Sequence, residues 1–511
     1  MAFARSYRLI EATVATLATA ALFYFGNGLE PRWPLVWFAP LPVLLLALRS
    51  RWWTAGAAAV AATLLGGLNM WSYLTKTLGA PEIAWAAVFL IAGAFFAAGV
   101  LTFRMLVLRG SLWSGLAALP AAWVTGEFVR NLATPHGSAG SLAYSQLKFL
   151  PFLQLASITG PWGMSFVLLL FPAAIAIGLH LRRQSPKRAL WVAGTGTAVV
   201  VAVLLFGAMR LGFSQGTSQA QSVPVGLVAT DENADGAVAD PGAATERLWR
   251  SYARQAKTLA AGGAQAIIMP EKLGVMIEGR AAETDAILQS VADRTGATII
   301  AGVVDVDGKT KYNQARIYIP GSALQRYDKE HMLPPFESNL KPGTTLTILP
   351  RPQQKWGVAI CKDMDFASPS RRYGAAAAGL MLVPAWDFVV DAGWHGHIAV
   401  MRGVENGFSV ARAARNGFLT VSDNRGRILG EIRSGSGPFA TLLIRVPSVH
   451  VGTVYQLMGD WFAWVALALL ILAVVQTIRL RQAEQLGLRP MSAKAPIEVA
   501  VIDHAEKPSA N

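Results

Sequence analysis

The stretch "WFAWVALALLILAVVQTI" at 461–478 carries no charge and stands alone near the C-terminus. A helix of that length crosses the roughly 30 Å hydrocarbon core of a bilayer. Seven more apolar stretches fill the first two-fifths of the chain, at 9–27, 34–48, 54–74, 84–108, 113–129, 162–181 and 190–212. The second is the shortest and carries prolines in "WFAPLPVLLLAL". Lipid offers no partner to backbone N–H and C=O groups, so such a chain folds as a multi-span α-helical membrane bundle. With 53% hydrophobic and only 15% charged residues, the composition excludes an ordinary soluble protein.

The charges around these stretches alternate. Arg5 and Arg8 precede the first, Arg49 and Arg51 follow the second, and Arg104 and Arg109 close the fourth. Arg182, Arg183, Lys187 and Arg188 lie between the sixth and seventh, and Arg479 and Arg481 follow the last. By the positive-inside rule both termini are cytoplasmic and the polar block faces the opposite side, the periplasm of a bacterial inner membrane. This placement accounts for the net charge of +14 without a nucleic-acid partner. The first stretch lacks a convincing small-residue cleavage site and reads as a retained span. The expected organisation is a membrane domain at 1–213, a periplasmic domain at 214–450, a last span at 451–480 and a disordered cytoplasmic tail at 481–511.

Within the polar block, strand and helix patterns alternate. "VPVGLVA" (223–229), "QAIIMPE" (265–271), "KWGVAIC" (355–361), "GLMLVPA" (379–385), "FLTVSD" (418–423) and "ATLLIRV" (440–446) read as strands. Amphipathic helices are expected at 244–263 and 281–296, and a hairpin across Asp307-Gly308. This pattern predicts a layered α/β sandwich with helices outside the sheets.

Three titratable residues follow segments that should be buried: Glu271 after "AIIMP", Lys329 in "LQRYDKEHMLPPFE", and Cys361 after "WGVAI". Strand ends collect active sites in α/β sheets, so the three can converge. Cys361 is the only cysteine, which excludes an internal disulfide and a CxxC metal site. A thiol with pKa about 8.5 needs a base or a cation to react at neutral pH. Glu271 can take its proton, and Lys329 with the Lys362 backbone N–H can stabilise a tetrahedral oxyanion. Cys361 would then carry an acyl group as a thioester. Each residue alone also has a structural reading, as a packed thiol, a helix-end charge or a solvated lysine; only the set of three points to chemistry.

The segments "MPE", "YDKEHMLPPFE" and "VAICKDMDF" resemble the nitrilase, or carbon–nitrogen hydrolase, superfamily, as does the closing segment at 383–431. A nitrilase-like domain ahead of a last membrane helix is similar to the apolipoprotein N-acyltransferase family. "PAAWVTGEFVR" (120–130), "LAYSQLKFLPFLQLASITGPWGMS" (142–165) and "YQLMGDW" (455–461) resemble that family's membrane segments. The resemblance implies a four-layer αββα sandwich beside the bundle, with no cofactor and no metal. It implies a phospholipid acyl donor, a thioester on Cys361 and a diacylated apolipoprotein amine as acceptor, with Glu271 as base and Lys329 as oxyanion partner. Glu337 matches a second glutamate of the family, and Asp363 stands where the family places a glutamate. Lys362 replaces an aromatic residue, Phe336 a glycine and Met269 a tryptophan, and the segment from Lys329 to Cys361 is short. These departures leave open a membrane-anchored hydrolase or amidase with water as acceptor. An inactive membrane scaffold is the third alternative, against which the intact Glu–Lys–Cys set speaks.

Other features carry less. His395 and His397 in "WHGH" would share one face of a strand, but no further His/Cys cluster makes them a metal site. Glu127 and Arg130 end the fifth apolar stretch as a capping or interfacial pair, or as functional charges. Trp386 and Trp394 are candidates for lining an acyl pocket.

Overall fold

The computed structural model describes residues 2–212, 222–231 and 238–486; the expected tail beyond Leu486 lies outside the described residues. Its first half is helical: α1 Ala2–Gly26, α2 Leu41–Arg49, α3 Trp52–Gly66, α4 Glu82–Leu108, α5 Leu112–Ala133, α6 Leu150–Leu153, α7 Ala156–Leu181 and α8 Pro186–Gly212. Ser6–Gly26, α4, α7, α8 and a C-terminal helix at Trp461–Gln485 are five helices long and apolar enough to cross a membrane. The stretch at 34–48 is split, because Pro40 and Pro42 supply no N–H to extend the 3-10 turn Trp33–Phe38. The stretch at 54–74 is also broken. Helix α3 stops at Gly66, a 3-10 turn follows at Gly67–Met70 and a π-turn at Tyr73–Thr77. A Cβ on Gly67 would lie 2.2 Å from the Phe89 ring, so the chain bends where it is pressed against α4.

The second half forms two sheets. Strands β1 Ser222–Ala229, β2 Ala266–Ile268, β3 Gly274–Ile277, β4 Thr298–Asp307, β5 Thr310–Tyr318 and β6 Gln325–Asp328 build the first. Strands β7 Thr347–Arg351, β8 Gln354–Val358, β9 Leu380–Trp386, β10 Ser409–Arg415, β11 Phe418–Ser422 and β12 Ile428–Arg433 build the second, while β13 Ala440–Pro447 returns beside β1. The predicted hairpin is present, with Asp307 paired to Thr310.

Val225, Leu227, Ile268 and Ile300 of the first sheet pack against Val358, Leu382, Ala411 and Val421 of the second. Helices α9 Ala243–Ala261 and α10 Ala281–Thr295 cover the outer face of the first sheet. Helices α11 Ala367–Ala375 and α12 Trp394–Asn406 cover the second. The result is an αββα sandwich. Ala399 of α12 packs toward its own sheet, while Trp394, Ile398, Met401 and Val404 join the core of the helical half. Helix α12 is therefore shared by both halves. The short helix α13 Val454–Met458 leads into α14 Trp461–Gln485, which packs on α5. There α7 bends at Gly160 (φ 62°), where a Cβ would lie 2.3 Å from the Tyr455 ring.

Candidate active site

Each of the three candidate residues lies just past a strand, not at its last residue. Strand β2 ends at Ile268, because Pro270 has no N–H for the ladder, and Glu271 follows. The Glu271 backbone N–H donates to the Ala385 carbonyl of β9, crossing between the sheets at 3.2 Å. Beneath it, Gly302 of β4 leaves no space: a Cβ there would sit 2.4 Å from the Glu271 Cα. Lys329 follows β6, its N–H bonded to the Asn313 carbonyl at 2.8 Å. Strand β8 ends at Val358, and Cys361 opens the tight turn Cys361–Asp365. Cys361 has φ 43°, a left-handed conformation unusual for a residue with a side chain. Strain of this kind costs on the order of 1–3 kcal/mol and collects at functional sites.

The side chains form a closed ionic cage. Lys329 Nζ donates to Glu271 Oε1 and to Glu337 Oε2, both at 2.8 Å. Asn313 Nδ2 donates to Glu271 Oε1 at 2.5 Å and to Glu337 Oε1 at 2.7 Å. Lys272 Nζ reaches Glu337 Oε1 at 2.7 Å. Glu271, Lys329, Glu337 and Asn313 are all buried. Burial alone would lower the Lys329 ammonium, but the two carboxylates outweigh it and hold the group well above the usual lysine range. Lys329 thus keeps its proton. Glu337 shows the complement: burial would raise it, but Lys329 and Lys272 bring it down to about 2.

Cys361 is half-buried at the edge of this cage. Its thiol donates to the Trp386 carbonyl at 3.6 Å, and Arg412 Nη2 lies 4.0 Å from Sγ. Burial, then the Glu271 charge, push the thiol well up, while Lys329 and Arg412 pull it down. The resting group is a thiol that needs a base. Asp363 anchors its turn, accepting from Ile360 N at 3.0 Å, Tyr327 OH at 2.9 Å, Glu330 N at 3.1 Å and His331 N at 2.8 Å. Lys362 points the other way. Its Nζ donates to the Met332 carbonyl at 3.1 Å and to the Pro135 carbonyl of the helical half at 2.8 Å. Burial lowers that ammonium to about 8.

Two family descriptions match the chain in succession. "Apolipoprotein N-acyltransferase N-terminal domain" matches residues 19–174 and "Carbon-nitrogen hydrolase" residues 243–437. The apolipoprotein N-acyltransferase of Geobacter metallireducens is 26% identical over 88% of this chain and 91% of its own length. Along most of its length the chain is similar to apolipoprotein N-acyltransferases. The enzyme of that name from Bradyrhizobium diazoefficiens is 26% identical over 78% of this chain and 80% of its own. Among solved structures, an amidase from Nesterenkonia sp. is 22% identical, covering 48% of this chain and 99% of that one, with a TM-score of 0.39.

Other candidate residues fall into place around the cage. Trp386 lies between Lys272, 5.1 Å from its ring, and Arg415, 3.4 Å away. Trp394 is buried at the junction of the halves, its ring 6.3 Å from Tyr73 and from Tyr144. His395 and His397 lie on helix α12, not on a strand, so they diverge: His395 meets Asp365 and Asp391, and His397 meets Glu431. Glu127 is buried and accepts from Trp123 Nε1 at 2.9 Å, Leu142 N at 2.6 Å, Ser141 Oγ at 3.0 Å and Ser165 Oγ at 2.8 Å. It fastens the loop after α5 and does not pair with Arg130. Sequence reasoning missed Asn313, Lys272, Arg412 and Asp387, which holds Arg412 at 2.5 and 2.8 Å. For Asn313 and Arg412 the available signal was polar side chains recurring within strand segments, in "KYNQARIY" and "SVARAAR".

Proposed function

We propose that the protein transfers a fatty acyl chain from a phospholipid to the N-terminal amine of a diacylglyceryl-cysteine lipoprotein, through a thioester on Cys361. The observation that carries this reading is a thiol beside a buried Glu271–Lys329 pair, on a catalytic half packed against helices able to cross a membrane. In the first half-reaction Cys361 Sγ attacks the ester carbonyl as Glu271 takes the thiol proton. The C–O bond then breaks and Glu271 returns the proton to the departing lysophospholipid oxygen. In the second, the lipoprotein amine attacks the thioester, Glu271 accepts an amine proton, the C–S bond breaks and the thiolate is reprotonated. Lys329 stays an ammonium in both steps and stabilises the oxyanion, with the Lys362 backbone N–H as second donor. Glu337 holds Lys329 in place and is itself held by Lys272. The catalytic half lies on the periplasmic side of a bacterial inner membrane, between a helical domain at 1–213 and a last span at 451–480, with both termini cytoplasmic.

The test uses purified protein and phospholipid labelled in its acyl chain, without acceptor. Protein-bound label released by neutral hydroxylamine and absent from C361S marks the thioester. A diacylated lipopeptide then discharges the label into peptide. Discharge into free fatty acid alone would make water the acceptor and refute transfer.

A further inference from the structure

His395 has no part in the acyl transfer, yet it sits where the two halves meet. Its Nδ1 lies 3.0 Å from Asp365 Oδ1 and its Nε2 lies 3.4 Å from Asp391 Oδ2. Asp391 Oδ2 also accepts from the Tyr73 hydroxyl at 2.8 Å, and that hydroxyl is 3.5 Å from His395 Nε2. Asp365, Asp391 and His395 belong to the catalytic half, whereas Tyr73 begins the π-turn after α3 in the helical half.

Both carboxylates hold parts of the reactive centre. Asp365 ends the turn that Cys361 begins. Asp391 closes the turn Phe388–Asp391, accepting from Phe388 N at 2.9 Å. That turn follows Trp386, whose carbonyl receives the Cys361 thiol, and the Phe388 ring lies 5.4 Å from Phe336 at the exposed lip. Asp365, Asp391 and Tyr73 are buried. Two buried carboxylates so close repel each other unless a cation lies between them, and the imidazolium is that cation. The hydroxyl of Tyr73 completes the set from the other half of the molecule.

We infer that His395 is a positioning residue. The chain Tyr73–Asp391–His395–Asp365 keeps the Cys361 turn and the Phe388–Asp391 lip in register while the Tyr73–Thr77 segment of the helical half is docked. This rests on Cys361 being the nucleophile, as proposed above. Docking of the membrane half and alignment of the thiol are then one event, because each half supplies members of the same chain.

The test is a double-mutant cycle on the full-length protein in detergent, with Y73F, H395Q and the double variant. Two rates are read: alkylation of Cys361 by iodoacetamide, which needs no acyl donor, and thioester formation with labelled phospholipid. Each single variant is expected to slow both rates about 5- to 10-fold, the double variant no more than the slower single, with KM for phospholipid unchanged. Fold-changes that multiply in the double variant would overturn the inference. A Y73F variant with raised KM and unchanged alkylation would also overturn it, since Tyr73 would then act on lipid entry. Should H395Q fail to accumulate, D391N replaces it in the cycle. Coupled alkylation rates without thioester in the wild type would sink the acyl-transfer reading and leave the positioning chain standing.

Discussion

Asp363 Oδ1 accepts the backbone N–H of His331 at 2.8 Å, so the segment carrying Lys329 is fastened to the turn carrying Cys361. The same carboxylate holds Tyr327, Glu330 and Ile360. The D363A variant leaves those donors unmatched in a buried site, where each costs about 1–3 kcal/mol. Thioester formation should fall at least about 100-fold, with a smaller change in KM, in a single-turnover assay with labelled phospholipid.

Acid should loosen the cage through Glu337. Its carboxyl is held down from 4.5 to about 2, so its contribution to stability is present above the unfolded value and is lost as pH falls through about 2. Thermal midpoints measured from pH 5 to pH 2 should fall in the wild type. They should fall less steeply in E337Q, which starts lower because Lys329 has lost one partner.

Arg412 pulls the Cys361 thiol toward ionisation. The R412Q variant should move the pH profile of Cys361 alkylation to higher pH, and R412K should move it less. An unchanged profile in R412Q would show that the guanidinium at 4.0 Å does not act on the sulfur.

Lys362 ties the Cys361 turn to the helical half through the Pro135 carbonyl. The K362M variant removes two bonds made by a charged donor and should lower stability by about 1–3 kcal/mol. Limited proteolysis should then cut faster in the loop around Pro135, which reports the loosened junction directly.

Much of the candidate site was legible because its titratable residues stand just past strand ends. Glu271 and Cys361 each follow an apolar run, and Lys329 lies between two such segments. The sequence could not say that Asn313 would face both glutamates, since that depends on β5 and β6 pairing in one register. Short strands such as β3 and β6 carry too few residues to show a period, and they became visible only through their partners. "WHGH" was misread for a physical reason. Histidines two apart imitate a strand, whereas the apolar spacing of Trp394, Ile398, Met401 and Val404 belongs to a helix gripped from both sides. The fold class was plainer, because uncharged runs in lipid and alternating strands and helices outside it admit few architectures.

Gly302 gives the cage a hidden fulcrum. Any side chain grafted there would act as a wedge under the backbone of Glu271 and displace its carboxylate from the cage. Under the proposed mechanism, activity is expected to fall on substitution at a position that bears no reactive group, and a catalogue of reacting atoms alone would never point to it.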